Sequence, residues 1–261
     1  MTRLPELIVE TEGATRILQL NRPERANALT AGLRRSLIEE LINASEDDEI
    51  RVVVLTGTGE KAFCAGADIK QLGEADASGK RFRPPLAHPD RHVIEVVIDT
   101  PKPVIAALNG SAVAAGFELA LACDIRLAVP AARLGMPAVK IGMGADFSSV
   151  LLPRRIPLGI ALEMLFTGDY MEAEEAARWG LVNRVVAPDR LREETHALAA
   201  RIAANAPLAV ERVKRMSVRA DGMPVWAALR LDTGINPYLS ADRIEGVRAR
   251  NEKRPPRWRR R

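Results

Sequence analysis

Residues 101–124 read PKPVIAALNGSAVAAGFELALACD, and no other stretch narrows the choice of fold as much. Residues 104–108 form a short apolar run, as expected of a buried strand. Asn109-Gly110 is a turn signal. Residues 111–116 are almost all small, and an apolar helix is expected from about Ala115, with one acid, Glu118, in its first turn. A strand that ends in a tiny-residue turn and opens a helix aims free backbone N–H groups at whatever sits there. A carboxylate three residues into that helix shares a face with those N–H groups. The pattern describes an oxyanion site beside a proton-transfer group.

The flanking sequence supplies a scaffold for such a site. Residues 7–9 and 15–20 read as two strands around Glu12-Gly13, a hairpin pattern. Residues 21–25 form a loop, and Thr30 is the N-cap candidate of a helix that carries Leu33, Leu37, Ile38 and Leu41 on one face. Residues 51–56 (RVVVLT) are near-continuously apolar, as in a strand covered on both faces. A second strand, small-residue turn and helix start follows at residues 62–70 (AFCAGADIK). Residues 73–91 are polar and carry Pro84, Pro85 and Pro89, the composition of a loop able to cover a site. Helices are expected near residues 92–99, 160–166, 172–179, 191–204, 208–218, 224–231 and 240–250, and strands at 125–129 and 181–186. Strand and helix alternate over the first 190 residues, which argues for an α/β class, and the last 60 or so are helical only.

With 261 residues and 47% apolar content the chain can bury a substantial core. Its formal charge of +4 suits an anionic or phosphorylated ligand. Five of the last eight residues are Arg (Arg254, Arg257, Arg259, Arg260, Arg261), which reads as a solvated tail or a nucleic-acid contact. Two cysteines, Cys64 and Cys123, make no disulfide framework. The opening MTRLPELIVE lacks the apolar core of a secretory signal, and no run approaches a membrane span, so the expected location is cytoplasmic.

The motif search is mostly negative. Gly57-x-Gly59 lacks the later Gly and Lys-Ser/Thr of a phosphate loop, and no G-x-S-x-G nucleophile elbow occurs. His88 and His92 flank a Pro without a clustered acid or Cys, so no metal site is expected. What remains are two small-residue turns, Ala65-Gly66-Ala67-Asp68 and Ala114-Ala115-Gly116, and two acids, Glu118 and Asp146. Two N–H groups from separate turns can converge on one oxygen and stabilise an enolate. Close strand–helix packing is the plainer explanation of each turn taken alone, and Asp146 read by itself is a loop acid that caps a nearby helix.

These residues resemble the crotonase (enoyl-CoA hydratase/isomerase) superfamily. The resemblance runs through Asn21-Arg22-Pro23, Asn27-Ala28-Leu29-Thr30, Leu55-Thr56-Gly57, residues 62–70, residues 101–107, Asn109-Gly110, residues 118–124 and Trp179-Gly180-Leu181-Val182. It implies a spiral of ββα units over residues 1–195, holding the acyl-CoA site, and a helical oligomerisation region over 196–261 that builds a trimer, often paired into a hexamer. It implies an acyl-CoA substrate whose thioester oxygen accepts from the N–H groups of Ala67 and Ala115, with Glu118 as a retained acid. Arg25, Ala26, Ala28, Ala65, Asp68 and Ile69 fall at substrate and CoA contacts. No separate cofactor is implied, since coenzyme A arrives as part of the substrate; nor is a membrane or nucleic-acid partner expected.

Two departures stand out. The family's usual Gly-Gly-Gly run is Ala114-Ala115-Gly116 here. The second glutamate of family hydratases falls at Ala138, and residues 144–149 (GADFSS) replace the usual glycine-rich turn. Asp146 lies where some branches, dienoyl-CoA isomerases among them, carry an aspartate. Three readings follow. The first is an enoyl-CoA hydratase/isomerase, in which double-bond isomerisation survives the loss of one acid more easily than hydration. The second is an acyl-CoA hydrolase using Asp146 as nucleophile. The third is a non-catalytic RNA-binding homologue, which the intact Glu118 argues against.

Overall fold

The computed structural model describes residues 5–68, 70, 73–74, 77–79, 86, 90–234 and 236–261. The chain opens with a hairpin, β1 (Leu7–Glu12) and β2 (Thr15–Leu20), turning at Gly13 with φ of 58°. Helix α1 (Ala31–Glu46) begins where expected: the Thr30 hydroxyl accepts from Leu33 N, and Leu33, Leu37 and Leu41 face the core. Next come β3 (Val52–Gly57) and β4 (Ala62–Cys64), and then α2 (Val93–Asp99), capped by His92.

From β3 onward the chain adds its strands in pairs, one to each of two sheets. β3, β5 (Val104–Leu108) and β7 (Ile125–Ala128) join a six-stranded sheet ordered β1-β2-β3-β5-β7-β10. β4, β6 (Ser111–Val113) and β8 (Arg133–Gly135) join β9 (Tyr170–Glu172) in a four-stranded sheet ordered β4-β6-β8-β9. The pairings β2–β3, β3–β5, β5–β7 and β7–β10 are parallel. β3 and β5 are buried on both faces, which is why their sequences do not alternate. This is a ββα spiral.

Helix α3 (Ala115–Ala122) leads from β6 to β7, and every one of its residues from Gly116 on is buried. Helices α4 (Asp146–Leu151), α5 (Leu158–Thr167) and α6 (Ala173–Arg178) follow. The strand expected at 181–186 shrinks to β10 (Arg184–Val185). Leu181 and Val182 are buried, but their N–H groups close the end of α6 on Ala176 O instead of joining the sheet.

The expected division at 195/196 falls inside α7 (Leu191–Ala203), whose Thr195 and Ala199 are buried. Helices α8 (Pro207–Arg219), α9 (Val225–Leu229) and α10 (Ala241–Asn251) complete the chain. The arginine-rich end is no solvated tail. The Arg260 guanidinium binds buried Glu211 at 2.8 Å and also reaches Asp48, Arg254 binds Glu245 at 2.6 Å, and the N–H groups of Arg259 and Arg260 donate to Asp242. Trp258 Nε1 donates to Ala204 O at 2.8 Å, pinning the segment to the end of α7. No helix among the described residues is long and apolar enough to cross a membrane.

Candidate active site

Three segments converge on one place in the fold. The first is the turn after β4, residues 65–68. Gly66 has φ of 91°, a conformation that favours glycine, and a Cβ there would lie 2.9 Å from the Ala114 methyl and 3.0 Å from Ala115 N. The two small-residue turns therefore touch, and small side chains are what let them. Gly116 serves the same approach: a Cβ there would meet Cys64 O at 2.1 Å, so α3 can lie directly on β4 only without one.

The second segment is the loop after β2. Its Asn27 side chain is fully buried; it accepts from Arg22 N at 2.9 Å and donates to Thr58 O and Ala62 O. The buried Arg22 guanidinium donates to Ala28 O at 2.7 Å and pairs with Asp68 at 3.3 Å. Ala65 N donates to Ala26 O, and Leu29 N donates to Gly66 O. Ala26 and Ala28 are thus set beside Ala65 and Asp68. Arg25 stands exposed on the same loop, and Ile69 lies outside the described residues. Arg22 and Asn27, quoted only as part of a motif in the sequence reading, are the residues that tie this assembly together.

The third segment is the start of α3. Among the described residues, neither Ala67 N–H nor Ala115 N–H has a hydrogen-bond partner. The Ala115 N–H opens the helix, where the aligned peptide dipoles favour negative charge. Glu118 follows one turn later on the same face. It is 7% exposed, and its Oε1 accepts from both Ser148 N, at 3.0 Å, and Ser148 Oγ, at 3.1 Å. Burial pushes the Glu118 carboxyl above the usual carboxylate range; the Ser148 bonds pull it back, and the charge of Asp146 pushes it up further.

Asp146 itself is exposed at the first position of α4. Its side chain does not cap the helix; the N-cap residue is Ala145, which makes no side-chain bond. Ala138 is buried in the 3-10 turn Pro137–Ile141. The contribution of Ser148 was not read from the sequence. The available signal was a helix start without a capping side chain of its own, which demands an acceptor from elsewhere. Phe147, between Asp146 and Ser148, stacks on His92 with ring centroids 4.8 Å apart. His88 lies outside the described residues.

A buried carboxylate with raised proton affinity, one helical turn from the unfilled Ala115 N–H and beside the turn that carries Ala67, is equipped to move a proton next to a carbonyl whose oxygen takes up negative charge. The family model for enoyl-CoA hydratase/isomerase matches residues 10–261, and the chain belongs to that family, with the crotonase fold and an acyl-CoA substrate. It is 39% identical over 248 residues to a carnitinyl-CoA dehydratase from Salmonella typhi, covering 92% of this chain and 93% of that protein. It is 38% identical over 267 residues to an (E)-benzylidenesuccinyl-CoA hydratase from Thauera aromatica, covering 96% and 98%. Among solved structures, an enoyl-CoA hydratase from Mycobacterium tuberculosis H37Rv superposes with a TM-score of 0.89 at 35% identity, covering 99% of this chain and all of that one.

Proposed function

We propose that this enzyme adds water reversibly across the α,β double bond of an enoyl-CoA, with Glu118 as the proton carrier. The observation that carries the reading is the buried Glu118 carboxylate one turn from the Ala115 N–H, with the turn that holds Ala67 packed against that helix start. In the hydration direction, the Glu118 carboxylate takes a proton from water as the water oxygen bonds to Cβ. The electron pair of the double bond moves onto the thioester oxygen, held by the two N–H groups. The neutral Glu118 then gives its proton to Cα, the enolate collapses, and the carboxylate is restored. One group serves as base and then acid, so the sequence closes without the glutamate that Ala138 replaces. The water chemistry named for the two relatives supports this reading.

A second reading, double-bond isomerisation, is favoured by Asp146, whose charge reaches Glu118 and which would supply the second proton site. Crotonyl-CoA and a 3-enoyl-CoA, incubated separately in ¹⁸O-water, separate the two. The expected result is ¹⁸O in a 3-hydroxyacyl-CoA product, lost at least about 100-fold in Glu118→Gln. Migration of the double bond without ¹⁸O, abolished in Asp146→Asn, would establish isomerisation instead. Release of free CoA with a trapped aspartyl adduct would indicate hydrolysis.

The loop of Arg25, Ala26 and Ala28 beside Ala65 and Asp68 is assigned to the CoA nucleotide, with coenzyme A only as part of the substrate. Trimeric or hexameric self-association is supported by exposed apolar side chains in the C-terminal helices, Trp226 (82% exposed), Leu229, Leu239 and Val247 among them. Sedimentation equilibrium is expected to give a multiple of three; a monomer at micromolar concentration would overturn this assignment.

A further inference from the structure

Glu118 belongs to α3, yet its carboxylate is held by α4. Both donors of Ser148, the backbone N–H and the hydroxyl, go to the same oxygen, Oε1, and Ser148 is fully buried. A carboxylate oxygen has two in-plane lone pairs, and two donors occupy both. The oxygen left to take up and release a proton is Oε2.

We infer that Ser148 is a positioning residue for the reaction: its hydroxyl and amide lock Oε1 and thereby assign proton transfer to Oε2. The inference rests on the reading of Glu118 as proton carrier. Its strength is that nothing has to reorganise between the two states of the acid. When Glu118 is ionised, Oε1 is an anionic acceptor; when Oε2 is protonated, Oε1 is a carbonyl-type acceptor; both Ser148 donors stay in place throughout. The arrangement is held from two sides. Helix α4 has no capping side chain of its own, so Glu118 fills the Ser148 N–H at its start. The Phe147 ring is braced by its stack on His92 at the start of α2. Among the described residues, Asp146 is the titratable group whose charge acts on this carboxyl.

The hydroxyl favours the ionised carboxyl more than the neutral one, because a bond to a charged acceptor is the stronger. Ser148→Ala should therefore raise the titration midpoint of Glu118 by about one pH unit. It should carry the acid limb of kcat/KM upward by the same amount, while Ser148→Thr, which keeps the hydroxyl, returns both. The midpoint is read directly by carbon-13 NMR of protein labelled at the glutamate carboxyl carbons, with Glu118→Gln identifying the resonance. A folded Ser148→Ala protein with the wild-type midpoint would overturn the inference, as would a folded Ser148→Thr protein that titrates like the alanine variant. The titration does not depend on turnover. If the wild type turns over no enoyl-CoA, the functional reading falls, and the carboxyl still reports whether Ser148 sets its proton affinity.

Discussion

At the scale of single residues, Glu118 has two duties that substitution can separate. Glutamine keeps an oxygen for the Ser148 donors, so Glu118→Gln retains the cap on α4 and removes only the charge. Because burial raises the folded-state proton affinity above that of the unfolded chain, the folded protein binds more protons than the unfolded one between those two values, and stability falls as pH rises through that window. Glu118→Gln is therefore expected to be at least as stable as wild type at pH 7, with any advantage fading as pH drops from the raised folded value to the ordinary carboxylate range. Glu118→Ala leaves the Ser148 hydroxyl and N–H unfilled, and should lose about 1–3 kcal/mol. Urea unfolding of the three proteins at two pH values checks both; a Glu118→Gln protein as unstable as the alanine variant would show that the carboxylate's charge itself holds α4.

Ala114 is a second residue whose backbone decides the matter. It carries φ of 51° and ψ of −125° at the N-cap of α3, a region that strains any residue with a Cβ by about 1–3 kcal/mol. Its φ is fixed between β6 and the oxyanion turn, with Ala114 N bonded to Gly135 O at 2.8 Å. Ala114→Gly should stabilise the protein by roughly 1 kcal/mol after the added freedom of the unfolded chain is subtracted. Thermal unfolding that shows no gain would mean the neighbouring segments, not the Cβ, set the strain.

At the scale of elements, what the sequence revealed depended on length. β3, β5 and α1 carry enough residues for their patterns to be read, and the Thr30 cap and the Asn109-Gly110 turn were plain. The smaller sheet was not, because β4, β6, β8 and β9 are three residues each and too short to show a period. Residues 111–113 read as part of a small-residue run and are a strand. α4 was missed for a related reason: six residues with an alanine in the capping position look like a loop until the distant Glu118 is seen to close it. The oxyanion turns and their acid were legible because glycine, alanine and one isolated carboxylate in apolar surroundings leave a local mark. Ser148 was not, since its meaning lies in a contact 30 residues away.

For the whole molecule, the basic end of the chain works as an internal fastening. Glu211 on α8 is almost fully buried and its partner is the Arg260 guanidinium. Removing the guanidinium leaves that carboxylate buried and poorly compensated, so Arg260→Ala should cost about 3 kcal/mol. Arg259 takes part only through its backbone N–H to Asp242 and its side chain is exposed, so Arg259→Ala should stay within about 0.5 kcal/mol of wild type. Chemical denaturation of the pair tests this; equal effects would mean that the tail contributes through its general positive charge and not through this one ion pair.

The hold of α4 on Glu118 also bears on how this scaffold could be redesigned. Residues 146–148 lie beside the acid, and Ser148 among them carries the donors that fix it. Grafting a relative's segment here to admit a bulkier acyl group would change the acid's strength along with the local shape. A library that varies this segment would have to keep a hydroxyl and a free N–H at the start of its helix, or else draw its selectable variation from elsewhere.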